Sequence, residues 1–270
     1  MATAEFTLSE LESVLGILGI AAGDTVLVHS SLMHLGLLSG CSPRQMPECI
    51  IDAFLDRLGQ AGTLAGLAPD YDYSNRGVPF DTRTSPVARE IGVLNAALAA
   101  RPEAERSANP IFSLAAIGAS AKRICVGSNA SAFGAESAWD RAVAAGTKIV
   151  MLGASFQRFT LARYIEQRFG VPYLYVKLFR TPVFRNGTEV AMPVTALLRY
   201  AHLPLEYDLS RFGELLREKE ILRETALGGG TVMVADAAAA VDAGIEALNR
   251  DIHYFLAKAP AYGETELPLK

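Results

Sequence analysis

Short apolar runs rich in β-branched residues alternate with amphipathic stretches along this chain, and that alternation limits the fold more than any other feature. The clearest runs are residues 25–29, 63–68 and 148–153. Runs of this length and composition are typical of buried strands. Between the first two runs, residues 43–58 have the pattern of a helix, and parallel strands need a crossover of this kind. The pattern therefore predicts an α/β fold.

The other segments extend this prediction to a single α/β domain over residues 1–270, with a mostly parallel central sheet flanked by helices and a small antiparallel insertion. Thr7 and Glu10 have the spacing of a capping box, which predicts a helix start. The pair Asn186-Gly187 predicts a hairpin turn in the insertion. Residues 69–84 are polar and predict a long binding loop. Further helices are expected at 7–20, 85–100, 120–127, 139–145, 160–169, 205–219 and 237–258, and further strands at 112–117, 172–179 and 231–234.

Charge and cysteine content exclude several classes of protein. The 270 residues contain 25 Lys and Arg against 29 Asp and Glu, so a broad nucleic-acid-binding face is not expected. Three cysteines cannot form a closed set of disulfides, and a reducing compartment is the simplest interpretation. The first residues lack the basic region of a signal peptide, and no apolar run reaches the roughly 20 residues of a membrane span. We therefore expect a cytoplasmic protein with no nucleic-acid partner, no membrane partner and no metal site.

Five short motifs follow one another along the chain. They are Val28-His29-Ser30-Ser31-Leu32 with Leu35-Gly36; Gly62-Thr63-Leu64; Pro79-Phe80-Asp81-x-x-Thr84-x-Pro86 with Gly92-x-Leu94; Arg106-Ser107-x-Asn109-Pro110-x-x-Ser113 with Gly118; and Leu152-Gly153-x-x-Phe156 with Thr160 and Glu166. In order and spacing, over residues 8–258, the set resembles the aminoglycoside 3-N-acetyltransferase family. The resemblance implies an α/β fold and transfer of an acetyl group from acetyl-CoA to an amine.

Two positions depart from the pattern of that family. Where the family has His-Pro, this chain has Asn109-Pro110, and where the family has Thr-x-x-His-x-x-Glu, Arg163 takes the place of the histidine. In the family that histidine, paired with a carboxylate, is the expected general base, and arginine cannot accept a proton near neutral pH. The resemblance therefore supports ordinary aminoglycoside acetylation less well than it supports the fold and the cofactor.

The resemblance makes Glu166, Asn109 and Arg163 the candidate catalytic residues. Glu166 is the remaining matched candidate base, unless the acceptor arrives already deprotonated. The amide of Asn109 either holds a carbonyl or hydroxyl of the substrate or caps a turn. Arg163 either binds a carboxylate or phosphate of the substrate or forms a surface salt bridge with Glu166, three residues further along the helix.

The resemblance also predicts the cofactor and acceptor sites. The cofactor is acetyl-CoA, another acyl-CoA or an acyl-phosphopantetheine, and the residues expected to bind it are His29, Ser30, Ser31, Leu32, Phe112 and Ser113. Ligands favour the carboxyl ends of strands in such sheets, although a serine-rich turn can equally cap the next helix. His29 is expected to be buried and hydrogen-bonded rather than catalytic. In the polar loop, Asp70, Asp72 and Asp81 are expected either to bind a cationic acceptor or to form only a solvated turn. Tyr71 and Tyr73 either stack on the substrate or hold the loop in place.

The sequence thus predicts an acyltransferase that acylates an amine or another small nucleophile, in biosynthesis and not in typical aminoglycoside resistance. One alternative is a related enzyme that processes thioesters in another reaction. Another alternative is a catalytically silent relative that binds CoA or a carrier-protein arm, which the loss of both family histidines favours. A small-molecule acceptor is expected as the partner, and a carrier protein and a homodimer stay open.

Overall fold

The computed structural model describes residues 4–127 and 130–262, and these contain fourteen strands and ten α-helices. The strands are β1 (Glu5–Phe6), β2 (Thr25–Ser30), β3 (Leu37–Leu38), β4 (Thr63–Leu67), β5 (Phe80–Asp81), β6 (Glu105–Arg106), β7 (Leu114–Gly118), β8 (Lys148–Leu152), β9 (Leu174–Phe179), β10 (Val183–Arg185), β11 (Thr188–Glu189), β12 (Val194–Arg199), β13 (Leu222–Leu227) and β14 (Gly230–Asp236). The helices are α1 (Leu8–Ile17), α2 (Leu32–Leu35), α3 (Met46–Leu58), α4 (Tyr71–Arg76), α5 (Val93–Ala100), α6 (Ala121–Cys125), α7 (Ala138–Ala144), α8 (Leu161–Phe169), α9 (Ser210–Glu218) and α10 (Ala237–Arg250).

A seven-stranded sheet with the order β13-β14-β8-β2-β4-β7-β6 forms the centre of the molecule. Its middle strands, β8, β2 and β4, are parallel, and every other neighbouring pair is antiparallel. The predicted α/β class is confirmed, but the sheet is mixed rather than mostly parallel. The strands β2, β4, β7, β8 and β14 are buried on both faces over most of their length, so their apolar runs carry no signal of strand direction.

Hydrophobic layers cover both faces of this sheet. Along β2 the side chains alternate, so Val26 and Val28 pack into one layer and Leu27 into the other. The first layer contains side chains of α1, α3 and α5, including Leu11, Ile50 and Leu94, and the second contains residues of α7, α8 and α10. Helices therefore flank the sheet on both sides, as predicted.

Local signals determine several elements as expected. The hydroxyl of Thr7 accepts a hydrogen bond from the backbone N–H of Glu10 at 3.1 Å, and the Glu10 carboxylate accepts one from the backbone N–H of Thr7 at 2.7 Å, which confirms the capping box. Asn186 and Gly187 have φ values of 51° and 79°, and they join β10 to β11 as the predicted hairpin. The antiparallel insertion contains a second pair, β9 and β12, of which β12 was not predicted.

Other boundaries differ from the sequence-based expectation. Residues 69–84 are not a continuous loop, because Asp70 caps helix α4 and β5 follows it. The helix expected at 85–100 begins only at Val93, after a 3-10 turn at Arg89–Ile91 and Gly92 with φ 95°. The predicted helix 205–219 starts at Ser210, and 237–258 ends at Arg250. The strand β13, which pairs with β14, was missed.

The three parallel strands determine where a site can form. Their carboxyl ends open on the same edge of the sheet, since Ser30 at the end of β2 pairs with Leu152 at the end of β8. Loops that leave these ends are the usual place for ligands in such sheets. Among residues 4–127 and 130–262, no helix is long and apolar enough to cross a membrane.

Candidate active site

A cleft of about 450 Å³ lies at the carboxyl edge of β2, β4 and β8. The strand ends contribute His29, Ser30 and Leu67 to its wall, and the segment after β8 contributes Ala154 and Ser155. The other lining residues are Ser31, His34, Tyr71, Glu90, Ile91, Asn95, Phe112, Gln157, Arg158, Phe159, Thr160, Ala162, Arg163 and Leu209. Polar and charged side chains from four regions of the chain, 29–34, 71, 90–95 and 155–163, therefore converge on one cavity.

The segment Ser30-Ser31 forms the part of the cleft that sequence analysis predicted to bind the cofactor. The backbone N–H of Ser31 donates to the carbonyl of Leu152 at 2.9 Å, so the ends of β2 and β8 are joined there. The hydroxyl of Ser31 does not cap helix α2 but lies 2.6 Å from Nδ1 of His34. Gly153 has φ 67°, and a Cβ on it would lie 2.7 Å from the carbonyl oxygen of Ser31. Glycine at 153 is thus required for this close approach of the two strand ends.

Two buried polar atoms in the cleft wall have no hydrogen-bond partner among the residues described. They are Nε2 of His29 and Oδ1 of Asn95, whose Nδ2 donates to the carbonyl of Val28 at 3.4 Å. Burial lowers the pKa of His29 to about 3, so its imidazole is neutral at physiological pH. Leaving buried polar atoms unpaired costs about 1–3 kcal/mol each, so both positions favour a ligand that can form hydrogen bonds.

Arg163 and Glu166 form an ion pair beside the cleft. The Arg163 guanidinium donates to the Glu166 carboxylate at 2.6 Å, and the hydroxyl of Tyr173 donates to the other carboxylate oxygen at 2.8 Å. Glu166 is fully buried, whereas the side chain of Arg163 is 19% exposed and lies with its guanidinium carbon 3.4 Å from the ring centre of Tyr207. The pair is therefore not a surface salt bridge. Arg163 lines the cleft, and Glu166 is buried behind Arg163.

The environment of Glu166 determines how its charge behaves. Burial raises the pKa of the Glu166 carboxyl, and the charge of Arg163 together with the hydrogen bond from Tyr173 acts in the opposite direction without cancelling the rise. Burial and the negative charge of Glu166 also raise the pKa of Tyr173 well above its usual range. The carboxylate therefore orients Arg163, and it does not line the cleft in which a substrate would bind.

The other sequence-predicted residues of the fourth motif and the cofactor loop divide into two groups. Phe112 lines the cleft, whereas Ser113 is buried and donates to the carbonyl of Ser107 at 2.7 Å. Asn109 is buried outside the cleft lining, where its Nδ2 donates to the carbonyl of Thr195 at 3.1 Å and thus joins this turn to β12. Leu32 begins helix α2 and is not part of the lining.

The residues predicted to bind a cationic acceptor stabilise loops outside the cleft lining. Asp70 accepts a hydrogen bond from the backbone N–H of Asp72 at 3.0 Å, and Asp72 pairs with Arg76 at 3.3 Å on the surface. Tyr73 is buried and its hydroxyl donates to the carbonyl of Thr181 at 2.8 Å. The structure brings none of these three side chains into the cleft.

Asp81 is the fourth of these predicted acceptor ligands. Its carboxylate accepts hydrogen bonds from the backbone N–H groups of Arg83 at 2.6 Å, Thr84 at 3.1 Å and Gly187 at 2.6 Å. Burial acts to raise the pKa of Asp81, but these hydrogen bonds outweigh it and the pKa lies below its usual range. Asp81 therefore fastens the hairpin of the insertion to the strand β5.

Sequence reasoning missed several residues of the cleft. Glu90 comes from the 3-10 turn and Asn95 from α5, two elements that the sequence pattern merges into one long helix, whereas Tyr71 of α4 lines the cleft as one of the two tyrosines considered for substrate contact. Arg158 follows β8 and His34 lies inside the first motif at an unspecified position. Within the described residues, Glu90 is the only carboxylate of the lining, against the guanidinium groups of Arg158 and Arg163.

Comparison with known proteins gives one consistent family. The model of the family described as aminoglycoside 3-N-acetyltransferase matches residues 27–249. The aminoglycoside N(3)-acetyltransferase III of Pseudomonas aeruginosa is 29% identical over an alignment of 231 residues, and the match covers 79% of this chain and 80% of that protein. The aminoglycoside N(3)-acetyltransferase III of Serratia marcescens is 30% identical over 182 residues, and the match spans 62% of this chain and 66% of that protein, just under two thirds of its length.

Solved structures give the same result over nearly the whole chain. The structure of AAC-IIIb with CoASH superimposes with a TM-score of 0.76 at 25% identity, covering 95% of this chain and 100% of that one. A mutant of the aminoglycoside acetyltransferase AAC(3)-IVa in complex with a gentamicin gives a TM-score of 0.76 at 26% identity, covering 96% of this chain and 94% of that one. The similarity therefore includes both the central sheet and the elements that line the cleft.

Proposed function

This chain belongs to the aminoglycoside 3-N-acetyltransferase family, and from that premise we propose that it transfers the acetyl group of acetyl-CoA to an amine of a small molecule bound in the cleft. The observation that carries the proposal is the convergence of the first and fifth matched motifs, with His29, Ser30, Ser31, Thr160 and Arg163, on one cavity at the carboxyl edge of the parallel strands. A thioester supplies an activated acetyl group. The chain itself then has to bind donor and acceptor together, exclude water and accept a proton.

The residues present in the cleft fit a CoA thioester. Its pantetheine arm carries amide groups that can both donate and accept hydrogen bonds. Nε2 of His29 and Oδ1 of Asn95 are buried and unpaired among the described residues, so the arm would supply partners for both. Ser30 and Ser31 line the same cleft and carry hydroxyl groups. A phosphopantetheine arm on a carrier protein offers the same chemistry, and the experiment below separates the two donors.

Each side of the cleft has a separate task in this proposal. The Ser30-Ser31 segment positions the donor, while Arg163, oriented by the buried Glu166, positions the acceptor. Placing two reactants in contact removes much of the entropic part of the barrier, and backbone N–H groups are the usual stabilisers of the oxyanion. Arg163 cannot accept a proton, and Glu166 is fully buried behind it.

We also propose that the acceptor is an amine that bears a carboxylate or phosphate group. Arg158 and Arg163 line the cleft, and Glu90 supplies the one carboxylate among the described lining residues. A polycationic aminoglycoside would therefore meet two positively charged guanidinium groups there. A guanidinium pairs with carboxylates and phosphates in a bidentate geometry. Such an acceptor suits a role in biosynthesis rather than in antibiotic resistance.

An acetyl-transfer assay that follows release of the CoA thiol tests both parts of the proposal. Acetyl-CoA and an acetylated carrier protein are compared as donors, each with gentamicin, a neutral amino sugar and an amino sugar phosphate as acceptors. We expect acetyl-CoA with the amino sugar phosphate to give the highest kcat/KM. In Arg163→Gln the KM for that acceptor should rise at least tenfold, while the KM for the neutral amino sugar stays within twofold. A higher kcat/KM for gentamicin would contradict the proposed acceptor class, and no transfer from acetyl-CoA would contradict the proposed donor.

A further inference from the structure

Acetyl transfer to an amine requires a group that accepts the proton released by nitrogen, and in this chain Arg163 occupies the position of the usual base. The titratable side chains that line the described cleft are His29, His34, Tyr71 and Glu90, besides the two arginines. Assignment of the proton-accepting role to one of these side chains rests on the proposed acetyl transfer.

Two of these side chains, His29 and Tyr71, are unsuited to that role, and so is Glu166 behind the cleft wall. His29 is buried with a pKa lowered to about 3, so it holds a proton too weakly to take one from an ammonium group. Burial and the nearby charge of Glu90 raise the pKa of Tyr71 above its usual value, so its hydroxyl stays protonated. Glu166 is fully buried, and its two carboxylate oxygens are engaged by Arg163 and Tyr173.

His34 differs from these groups in its position and in its partner. It lies on α2 directly after β2, it is exposed, and it lines the cleft. Nδ1 of His34 is 2.6 Å from the hydroxyl of Ser31, so a residue of the matched cofactor segment fixes the orientation of the imidazole. When Nδ1–H donates to Ser31, the lone pair of Nε2 is available to accept a proton.

His34 is exposed, and the part of the strand that packs against its backbone adds no charged group. Helix α2 packs against the start of β14, where Gly229 and Gly230 approach the backbone carbonyl of His34 and add no side chain and no charge. A Cβ on Gly230 would lie 2.9 Å from the His34 carbonyl oxygen. The charged groups that share the cleft with His34 are Glu90, Arg158 and Arg163.

We propose that His34, held by Ser31, is the general base of this cleft and replaces the histidine that is absent at position 163. The amine nitrogen bonds to the acetyl carbon, the carbon–sulfur bond breaks, and Nε2 of His34 takes the proton that nitrogen loses. The proton then returns to the departing thiolate or to water. In this assignment Ser31 is a positioning residue, and the family reaction is retained with its base moved from α8 to α2.

Four variants test the assignment: His34→Gln, Glu90→Gln, Ser31→Ala and, as a matched control on an exposed turn, His202→Gln. Removal of a general base lowers the rate by about 10²–10⁴-fold. We expect His34→Gln to lose kcat in that range, to bind acetyl-CoA within twofold of the wild type in calorimetry, and to lose the acid-side fall of the kcat/KM profile. Glu90→Gln and His202→Gln should keep that fall. Ser31→Ala should keep it too, with a smaller loss of kcat.

Several results would overturn the assignment. The first is that His34→Gln keeps the fall of kcat/KM at acid pH, and the second is that Glu90→Gln loses it. The third is an acetylated Ser31 in mass spectrometry, because that would make the serine a nucleophile. Imidazole ¹⁵N spectra add a readout that does not need turnover, and we expect the wild type to carry the neutral proton of His34 on Nδ1. If the neutral imidazole of His34 carries its proton on Nε2, the assignment of His34 as the base is contradicted, and this result does not depend on finding an acceptor. Failure to bind acetyl-CoA would contradict only the proposed function.

Discussion

Replacing Arg163 by methionine isolates the energetic role of the buried ion pair. Glu166 is fully buried and would lose the 2.6 Å hydrogen bond from Arg163, while Tyr173 stays bonded to its other oxygen. Breaking a buried pair from one side costs about 3–5 kcal/mol, because the remaining charge is uncompensated. That is a large part of the roughly 5–15 kcal/mol by which domains are stable. We therefore expect Arg163→Met to lower the free energy of unfolding by about 3–5 kcal/mol at pH 7.

The pH dependence gives this prediction a sign. In the wild type the pKa of Glu166 is already raised above its ordinary value of about 4.5. A carboxyl whose pKa is raised in the folded state binds its proton more tightly in the folded protein. Its favourable contribution to the free energy of unfolding is therefore complete below the pKa of the unfolded state, and it is lost as the pH rises through the pKa of the folded state. Loss of Arg163 raises the folded pKa further, so the destabilisation should shrink between pH 7 and pH 5.

Urea unfolding at pH 5, 6, 7 and 8 measures this effect. The double variant Arg163→Met with Glu166→Gln is the control, because replacing both partners removes the uncompensated charge and is often nearly neutral. We expect it to regain most of the stability at pH 7. A destabilisation by Arg163→Met below about 0.5 kcal/mol, or one that does not change with pH, would refute the description of Glu166 as a buried charge held by Arg163.

Three further variants test other parts of the account. In Asn95→Leu the unpaired Oδ1 disappears, so the free energy of unfolding should fall by less than about 1 kcal/mol. Calorimetry should show acetyl-CoA binding weakened about tenfold. Unchanged binding would contradict a role for Asn95 in the cofactor site. Gly153→Ala forces a Cβ to within 2.7 Å of the Ser31 carbonyl oxygen at a positive φ, so we expect about 1–3 kcal/mol of destabilisation in urea unfolding. We also expect weaker binding of acetyl-CoA. Unchanged stability would contradict the close approach of the two strand ends. Arg163→His should raise the kcat/KM for gentamicin at least tenfold in the thiol-release assay, and no gain would show that position 163 does not set the acceptor class.

The part of the site built on strand ends could be predicted from sequence. His29, Ser30 and Ser31 follow an apolar run, and parallel strands place their carboxyl ends on one edge, so these residues meet in the cleft. The pairing of Arg163 with Glu166 followed from their spacing on a helix. Its burial did not, because Tyr173 lies beyond the end of α8 and Tyr207 comes from a distant segment, and only the tertiary fold brings these side chains onto the ion pair.

The part of the site carried by residues 69–100 could not be predicted in the same way. Asp70 and Asp72 looked available in a polar loop, but in the structure they are used to start helix α4 and to pair on the surface. Glu90 and Asn95 reach the cleft because the chain turns at Gly92, which a continuous helical pattern conceals. Strand direction was also hidden, since buried antiparallel strands such as β14 have the same apolar composition as buried parallel ones.

Calorimetric titration with acetyl-CoA tests the central claim most directly, because every proposed step requires this thioester in the cleft. We predict saturable binding with one site per chain, abolished or weakened in Gly153→Ala, and a gain in stability of about 2.7 kcal/mol when the ligand is at 100 times its Kd. The absence of binding at millimolar acetyl-CoA and free CoA would contradict the claim. In that case the carrier-protein thioester would be the donor to test in the same cleft.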